Sequence, residues 1–227
     1  MTKKIIGMTV LFFHCATAVL ASPSVLLAGD SMMKAVAPTF EQKLAGAGFA
    51  VHSSAAIGTG LARLDLFDWY AQITKSVQTH KPEIAIVMLG GNDNQALRTE
   101  SGIVPFGAPA WGAEYARRVG KFLDLMSTGG VQRIYWLELP AMRESRLDTD
   151  VQSINKIVQQ EVARRKQNFF ETRLLLSKTS DGAYSAYVFQ PNGMPLHVRL
   201  EDGIHLNRKG AEWLADRLIP VLQSTGK

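Results

Sequence analysis

Six consecutive apolar residues at 84–89, Ile-Ala-Ile-Val-Met-Leu, end abruptly in Gly90-Gly91-Asn92-Asp93. The run is short for a helix and has no polar residue to turn toward water, so it predicts a strand buried on both faces. Such strands belong to parallel sheets with helices above and below. Shorter apolar runs repeat the theme at 25–28, 49–51, 134–137 and 174–176. Helix-period stripes lie between them. Trp111, Tyr115, Val119, Phe122 and Met126 recur every three or four residues, as do Val151, Ile154, Val158 and Val162, and both stripes read as core-facing. Trp213, Leu214, Leu218 and Val221 mark a C-terminal helix, with Asn207 as its cap. The alternation predicts an α/β three-layer sandwich around a central parallel five-stranded sheet. Pro191-Asn192-Gly193, between two extended runs in 184–199, breaks the rhythm and predicts a short hairpin insertion.

A chain of 227 residues suits one domain. With 46% hydrophobic and 20% charged residues it can bury a core, which excludes a disordered chain. The N-terminus is different in kind. Lys3 and Lys4 precede an apolar stretch over 5–20, and Val19-Leu20-Ala21 ends in a small residue. This is the pattern of a cleavable signal peptide over 1–21, leaving a single domain over 22–227 that is periplasmic or secreted. Past that leader no run approaches the ~20 apolar residues of a membrane-spanning helix. Cys15, the only cysteine, lies inside the leader, so neither a disulfide framework nor a thiolate zinc site is available within one chain. The net charge is +5, but the basic residues are dispersed. The longest basic run, Arg164-Arg165-Lys166, reads as a solvated helix face, and no nucleic-acid partner is expected.

In open α/β sheets, ligands bind beyond the carboxyl ends of the strands. Gly29-Asp30-Ser31, Gly58-Thr59-Gly60 and Gly90-Gly91-Asn92-Asp93 all fall there, and Asp202-Gly203-Ile204-His205 precedes the last helix. Each supplies a part for acyl transfer. Ser31 is the candidate nucleophile and His205 the base that takes its proton. Asp202, three residues earlier, can accept from the His205 ring and fix its tautomer. A tetrahedral intermediate needs donors for its oxyanion. The Ser31 and Gly58 backbone N–H groups and the Asn92 amide are the candidates.

These residues resemble, in order, the conserved blocks of the SGNH hydrolases in the GDSL esterase/lipase superfamily. The resemblance runs from Val25 to about Leu222 and implies a flavodoxin-like SGNH fold. Met32 stands where that family usually has Leu, and Ser53-Ser54 where Asn is common. Gly60 is therefore a rival to Gly58, or a substrate contact. A narrower likeness, to an uncharacterised family of bacterial periplasmic SGNH proteins, rests on Gly60-Leu61, Arg63, Asp65, Phe67-Asp68-Trp69, Asn92-Asp93-Asn94-Gln95, Trp111, Leu139-Pro140-Ala141-Met142-Arg143 and the stretch from Arg199 to His205. It implies a cell-envelope setting.

Other patterns compete. Ser31-Met32-Met33-Lys34 fits the Ser-x-x-Lys of penicillin-binding enzymes, with Ser153-Ile154-Asn155 and Lys178-Thr179-Ser180 as imperfect partners. His52, His80 and His197 are scattered, and Gly58-x-Gly60 lacks a third glycine, so neither a metal nor any other cofactor is expected. Arg143 and Arg199 flank the site as substrate contacts or as structural ion pairs. Trp69 and Trp111 read as core. The leading expectation is a serine esterase acting on a small-molecule or polysaccharide ester, an O-acetyl group on an envelope carbohydrate among them. An acyltransferase, a lipid esterase or thioesterase, and a non-catalytic carbohydrate-binding protein are the alternatives.

Overall fold

The computed structural model describes residues 22–224; the leader expected over 1–21 lies outside them. Strand β1 (Ser24–Gly29) leads into helix α1 (Ser31–Gly46), then β2 (Ala50–Ala55), α2 (Trp69–His80) and β3 (Ile84–Met88). A hairpin of β4 (Leu97–Thr99) and β5 (Gly102–Val104) precedes α3 (Pro109–Thr128), β6 (Arg133–Leu137), α4 (Ser145–Arg164) and β7 (Asn168–Phe170). A second hairpin, β8 (Tyr187–Phe189) and β9 (Pro195–His197), comes before α5 (Arg208–Ser224). The main sheet has five strands in the order β2-β1-β3-β6-β7, all parallel. Helices α1 and α5 pack together on one face, and α2, α3 and α4 pack in succession on the other. That division follows from right-handed crossovers, because the chain reverses direction across the sheet after β2.

Burial follows the sequence pattern. Every residue of β3 is buried, and so are both helical stripes expected to face the core, Trp111 to Met126 on α3 and Val151 to Val162 on α4. Trp69 and Trp111 are buried as well. Asn207 caps α5 through its side-chain oxygen, which accepts the Gly210 N–H at 2.9 Å. The expected hairpin is present, with Pro191-Asn192-Gly193 at its turn.

The fifth strand is a correction. It is Asn168–Phe170, paired with β6 from Tyr135↔Asn168 to Leu137↔Phe170, and not the leucine run at 174–176. The chain turns out of α4 at Lys166, whose φ is +55°, and enters the sheet edge at once. The leucines come after that edge is filled. Leu174 is 55% exposed while Leu176 is buried, and the Leu175 carbonyl accepts from the Trp213 indole at 2.8 Å, tying the turn to α5. Three apolar residues in a row look alike in an edge strand and in a turn packed on a helix.

Register sets the site. Gly29 lies level with Ala55 on one side and Met88 on the other. The chain therefore leaves β1, β2 and β3 at one height, and Ser31, Gly58 and Asn92 stand two to four residues beyond it.

Candidate active site

Ser31 is the first residue of α1, placed there by an unusual cap. The carboxylate of Asp30 is fully buried. One oxygen accepts the Met32 N–H at 2.8 Å and caps the helix. The other accepts the Gly90 and Gly91 N–H groups at 3.0 and 2.8 Å. Asp30 thus ties the turn bearing Ser31 to the turn bearing Asn92. Burial pushes its carboxyl up to about 7, against the pull of those three amides.

Asp93 does the same between the second and third turns. It is buried and accepts from Leu61 N–H (3.1 Å), Ala62 N–H (2.8 Å) and the Tyr115 hydroxyl (2.7 Å). Burial raises its pKa, again against these bonds. Gly60 packs on this carboxylate so closely that a β-carbon would come 2.0 Å from an Asp93 oxygen. Gly60 is therefore a buried packing residue beside Asp93. Arg118, also buried, donates to the carbonyls of Leu61 and Ala62 at 2.8 and 2.9 Å and to that of Arg98.

Gly58 is exposed and has φ +72°, the left-handed region that favours glycine. Its side of the turn is open space. No acceptor among the described residues takes the backbone N–H of Ser31 or of Gly58. The Asn92 amide donates one hydrogen to the Thr59 carbonyl at 3.0 Å, which fixes its plane beside Gly58 and leaves its second hydrogen uncommitted.

His205 reaches in from the opposite side. Its Nε2 lies 2.9 Å from Ser31 Oγ, and its Nδ1 lies 2.7 Å from Asp202 Oδ2. With Nδ1–H donating to the carboxylate, Nε2 keeps its lone pair and Ser31 Oγ–H becomes the donor. The other Asp202 oxygen accepts the Ile204 and His205 N–H groups at 2.8 and 3.0 Å. Burial works to raise the Asp202 pKa, but the His205 ring and these two amides outweigh it, and the carboxyl titrates below its usual range. Ser31, Asp202 and His205 thus come together, and Gly58 and Asn92 stand on the two neighbouring turns, joined through the Thr59 carbonyl.

The two arginines part ways. Arg199 is 1% exposed; its guanidinium donates to the Ala141 carbonyl at 2.6 Å and the Gly203 carbonyl at 3.4 Å and lies 5.0 Å from the centre of the Tyr184 ring. Burial lowers its pKa to about 10. It is a buried clamp beneath the Asp202–His205 turn, and it makes no ion pair among the described residues. Arg143 is exposed; its side chain donates to the Glu201 carbonyl and its N–H to the Gly203 carbonyl at 3.0 Å. Lys34 is exposed on α1, and Ser153 is exposed on α4 with its hydroxyl on the Thr149 carbonyl. No group of three or more metal-ligating side chains occurs among the described residues, and no helix among them is long and apolar enough to cross a membrane.

Sequence reasoning missed the buried supports. Asp30 and Asp93 lie inside the motifs it singled out, flanking Ser31 and Asn92, so their position was a usable signal. Arg118 carried none, since a single arginine beside a helical stripe reads as surface.

Solved structures with the same fold include the acetyl xylan esterase AlAXEase, at 14% identity and TM-score 0.62 over 88% of this chain and 99% of that one. A GDSL-like lipase from Bacteroides thetaiotaomicron is similar at 13% identity and TM-score 0.61, covering 92% and 94% of the two chains. Axe2, an acetylxylan esterase from Geobacillus stearothermophilus, has 15% identity and TM-score 0.59, covering 88% and 94%. No curated protein sequence matches the chain. Residues 24–221 match the family described as "Protein of unknown function (DUF459)". The chain has the SGNH hydrolase fold and belongs to the DUF459 family.

Proposed function

We propose that the protein is a serine esterase that removes an acyl group, O-acetyl above all, from a cell-envelope carbohydrate. The observation that carries this reading is the unbroken relay Asp202–His205–Ser31, with contacts of 2.7 and 2.9 Å. Its likeness in fold to two acetyl xylan esterases supports the choice of acyl group. The leader pattern over 1–21 supports export to the envelope.

In this mechanism Ser31 Oγ attacks the acyl carbon while its proton passes to His205 Nε2. The carbonyl oxygen becomes an oxyanion and takes hydrogen bonds from the Ser31 N–H, the Gly58 N–H and Asn92 Nδ2. The ester C–O bond then breaks. The sugar oxygen leaves with the proton from His205, and the acyl group stays on Ser31. Water attacks next, giving its proton to His205, and the collapse of the second intermediate releases the carboxylic acid and restores Ser31 Oγ–H. Asp202 holds the ring and stabilises the imidazolium without itself taking a proton.

The test is labelling with a fluorophosphonate probe, followed by hydrolysis of p-nitrophenyl esters of graded chain length. Label on Ser31 and turnover that is greatest on the acetate are expected. Absence of label with intact folding would remove the enzyme, and a preference for long acyl chains would replace the carbohydrate ester with a lipid.

A further inference from the structure

We propose that the cleft lined by Asn94, Phe106, Glu144, Arg146, Leu147 and Asp150 is a subsite that holds a neutral sugar ring beside the reacting ester. The inference rests on the esterase reading above and names where its substrate is gripped.

Asn94 is two residues past Asn92 on the same turn. Glu144 follows Arg143, which packs on the other side against the turn carrying the base. A β-carbon on Gly203 would come 2.5 Å from Arg143 Cβ, and the Arg143 N–H donates to the Gly203 carbonyl. The cleft therefore lies between the turn after β3 and the start of α4, the two segments that also carry Asn92 and the Arg143 packed on Gly203.

Its size and chemistry select the ligand. The volume is about 250 Å³, just below the range of about 300–1,000 Å³ typical of drug-sized ligands. That is room for one ring. Phe106 gives it an aromatic wall, itself held edge-on against Trp111 at 4.6 Å between ring centres. The rest is a mixture of donors and acceptors. Asn94 donates to one Asp150 oxygen at 3.0 Å, and the other oxygen has no donor among the described residues. Arg146 is exposed and makes no ion pair among the described residues. The Glu144 carboxylate accepts the Arg146 and Leu147 N–H groups at 2.8 and 2.6 Å, which hold its pKa below the usual range. A pyranose has the same make-up, an apolar C–H face and a rim of hydroxyls that both donate and accept. Two carboxylates oppose a phosphate or an acidic sugar, and so many polar groups oppose an acyl chain.

Phe106→Ala and Asp150→Ala, each in the full chain, separate this subsite from the chemistry. The readout is the ratio of kcat/KM on mono-O-acetyl cellobiose to kcat/KM on p-nitrophenyl acetate. A fall of about tenfold or more in that ratio is expected for each, carried by KM on the sugar ester, with circular dichroism and Tm showing a folded protein. A folded variant with an unchanged ratio overturns the subsite while leaving the esterase standing. A wild-type protein that turns over neither ester overturns the esterase reading itself. Faster turnover of acetylated hexuronate than of the neutral sugar, lost in Arg146→Ala, would replace the neutral ligand with an acidic one.

Discussion

The two sides of the relay differ in what is buried beneath them. Ser31 stands on a floor of buried carboxyl groups. Asp30 and Asp93 are fully buried, and together they collect five backbone N–H groups and the Tyr115 hydroxyl from four stretches of chain. His205 hangs on a turn whose own carboxylate, Asp202, is 41% exposed, and whose support is a buried cation. Arg199 grips carbonyls on both sides of that turn's base, Ala141 on one and Gly203 on the other. On the Ser31 side two buried carboxyl groups organise amides, with Arg118 holding the carbonyls of the same loop; on the His205 side the carboxylate that collects amides, Asp202, is partly exposed and the buried group is an arginine on carbonyls. In the proposed mechanism the floor presents fixed N–H groups to a charge that exists only in the transition state. In the same mechanism His205 passes only between two protonation states of one ring.

The harshest way to probe that comparison is to remove one partner from each side. Ser31→Ala and His205→Ala should each lower kcat on the order of 10⁶-fold, as in other triads that act as a unit. The double variant should be little worse than either single one. Additive losses in a kinetic double-mutant cycle would mean that the two sides work separately and that the 2.9 Å contact is incidental.

The floor alone is tested by pH. The Asp30 carboxyl is raised from 3.8 to about 7 in the folded protein, so the native state holds that proton more tightly than the unfolded chain does. The associated stability is fully present below about pH 4 and is lost as pH rises to about 7. At 1.36 kcal/mol per pH unit this amounts to about 4 kcal/mol as an upper figure. Asp30→Asn removes the titration and adds a constant penalty, because one of three N–H groups then faces an amide –NH₂. The difference in unfolding free energy between wild type and variant should therefore slope through pH 4–7. A flat difference would show that the three amides hold Asp30 ionised throughout.

Asn92 comes next. Asn92→Ala should cost roughly 2.7–4 kcal/mol in kcat, the range for a side-chain oxyanion donor, with KM changed much less. A matching loss in Tm alone, with kcat intact, would reduce Asn92 to a brace for the Thr59 carbonyl.

What was legible in the sequence divides along the same line. The central strands announced themselves because burial on both faces leaves an unbroken apolar run, as in β3. The edge strand β7 did not, since Asn168-Phe169-Phe170 is half wet and the leucines at 174–176 look more apolar. The β4–β5 hairpin went unread because each strand has only three residues. At the site, residues whose chemistry is local, such as Asp202 three before His205, were readable as spacing. Asp30 meets Gly90 and Gly91 from 60 and 61 positions away, and Arg118 meets Leu61 and Ala62 from 57 and 56. Such contacts exist only once the sheet has set the register of its strands. Arg199 lies beside the site as its position suggested, but nothing in the sequence says that a charged side chain there points inward.

The smallest expected effect sharpens the comparison from outside it. Lys34 follows Ser31 by three residues, the spacing at which a lysine activates serine in penicillin-binding enzymes. Yet Lys34 is exposed and makes no ion pair among the described residues, while Ser31 Oγ already has His205 Nε2 at 2.9 Å. A lysine that serves as a base needs burial to release its proton near neutral pH. Lys34→Ala should then leave kcat within about twofold and stability within about 0.5 kcal/mol, as for a surface substitution with no partner. If Lys34→Ala instead loses as much turnover as Ser31→Ala while His205→Ala retains it, the proton leaves Ser31 toward α1. The exposed turn that carries Asp202 and His205 would then be a brace and not the base.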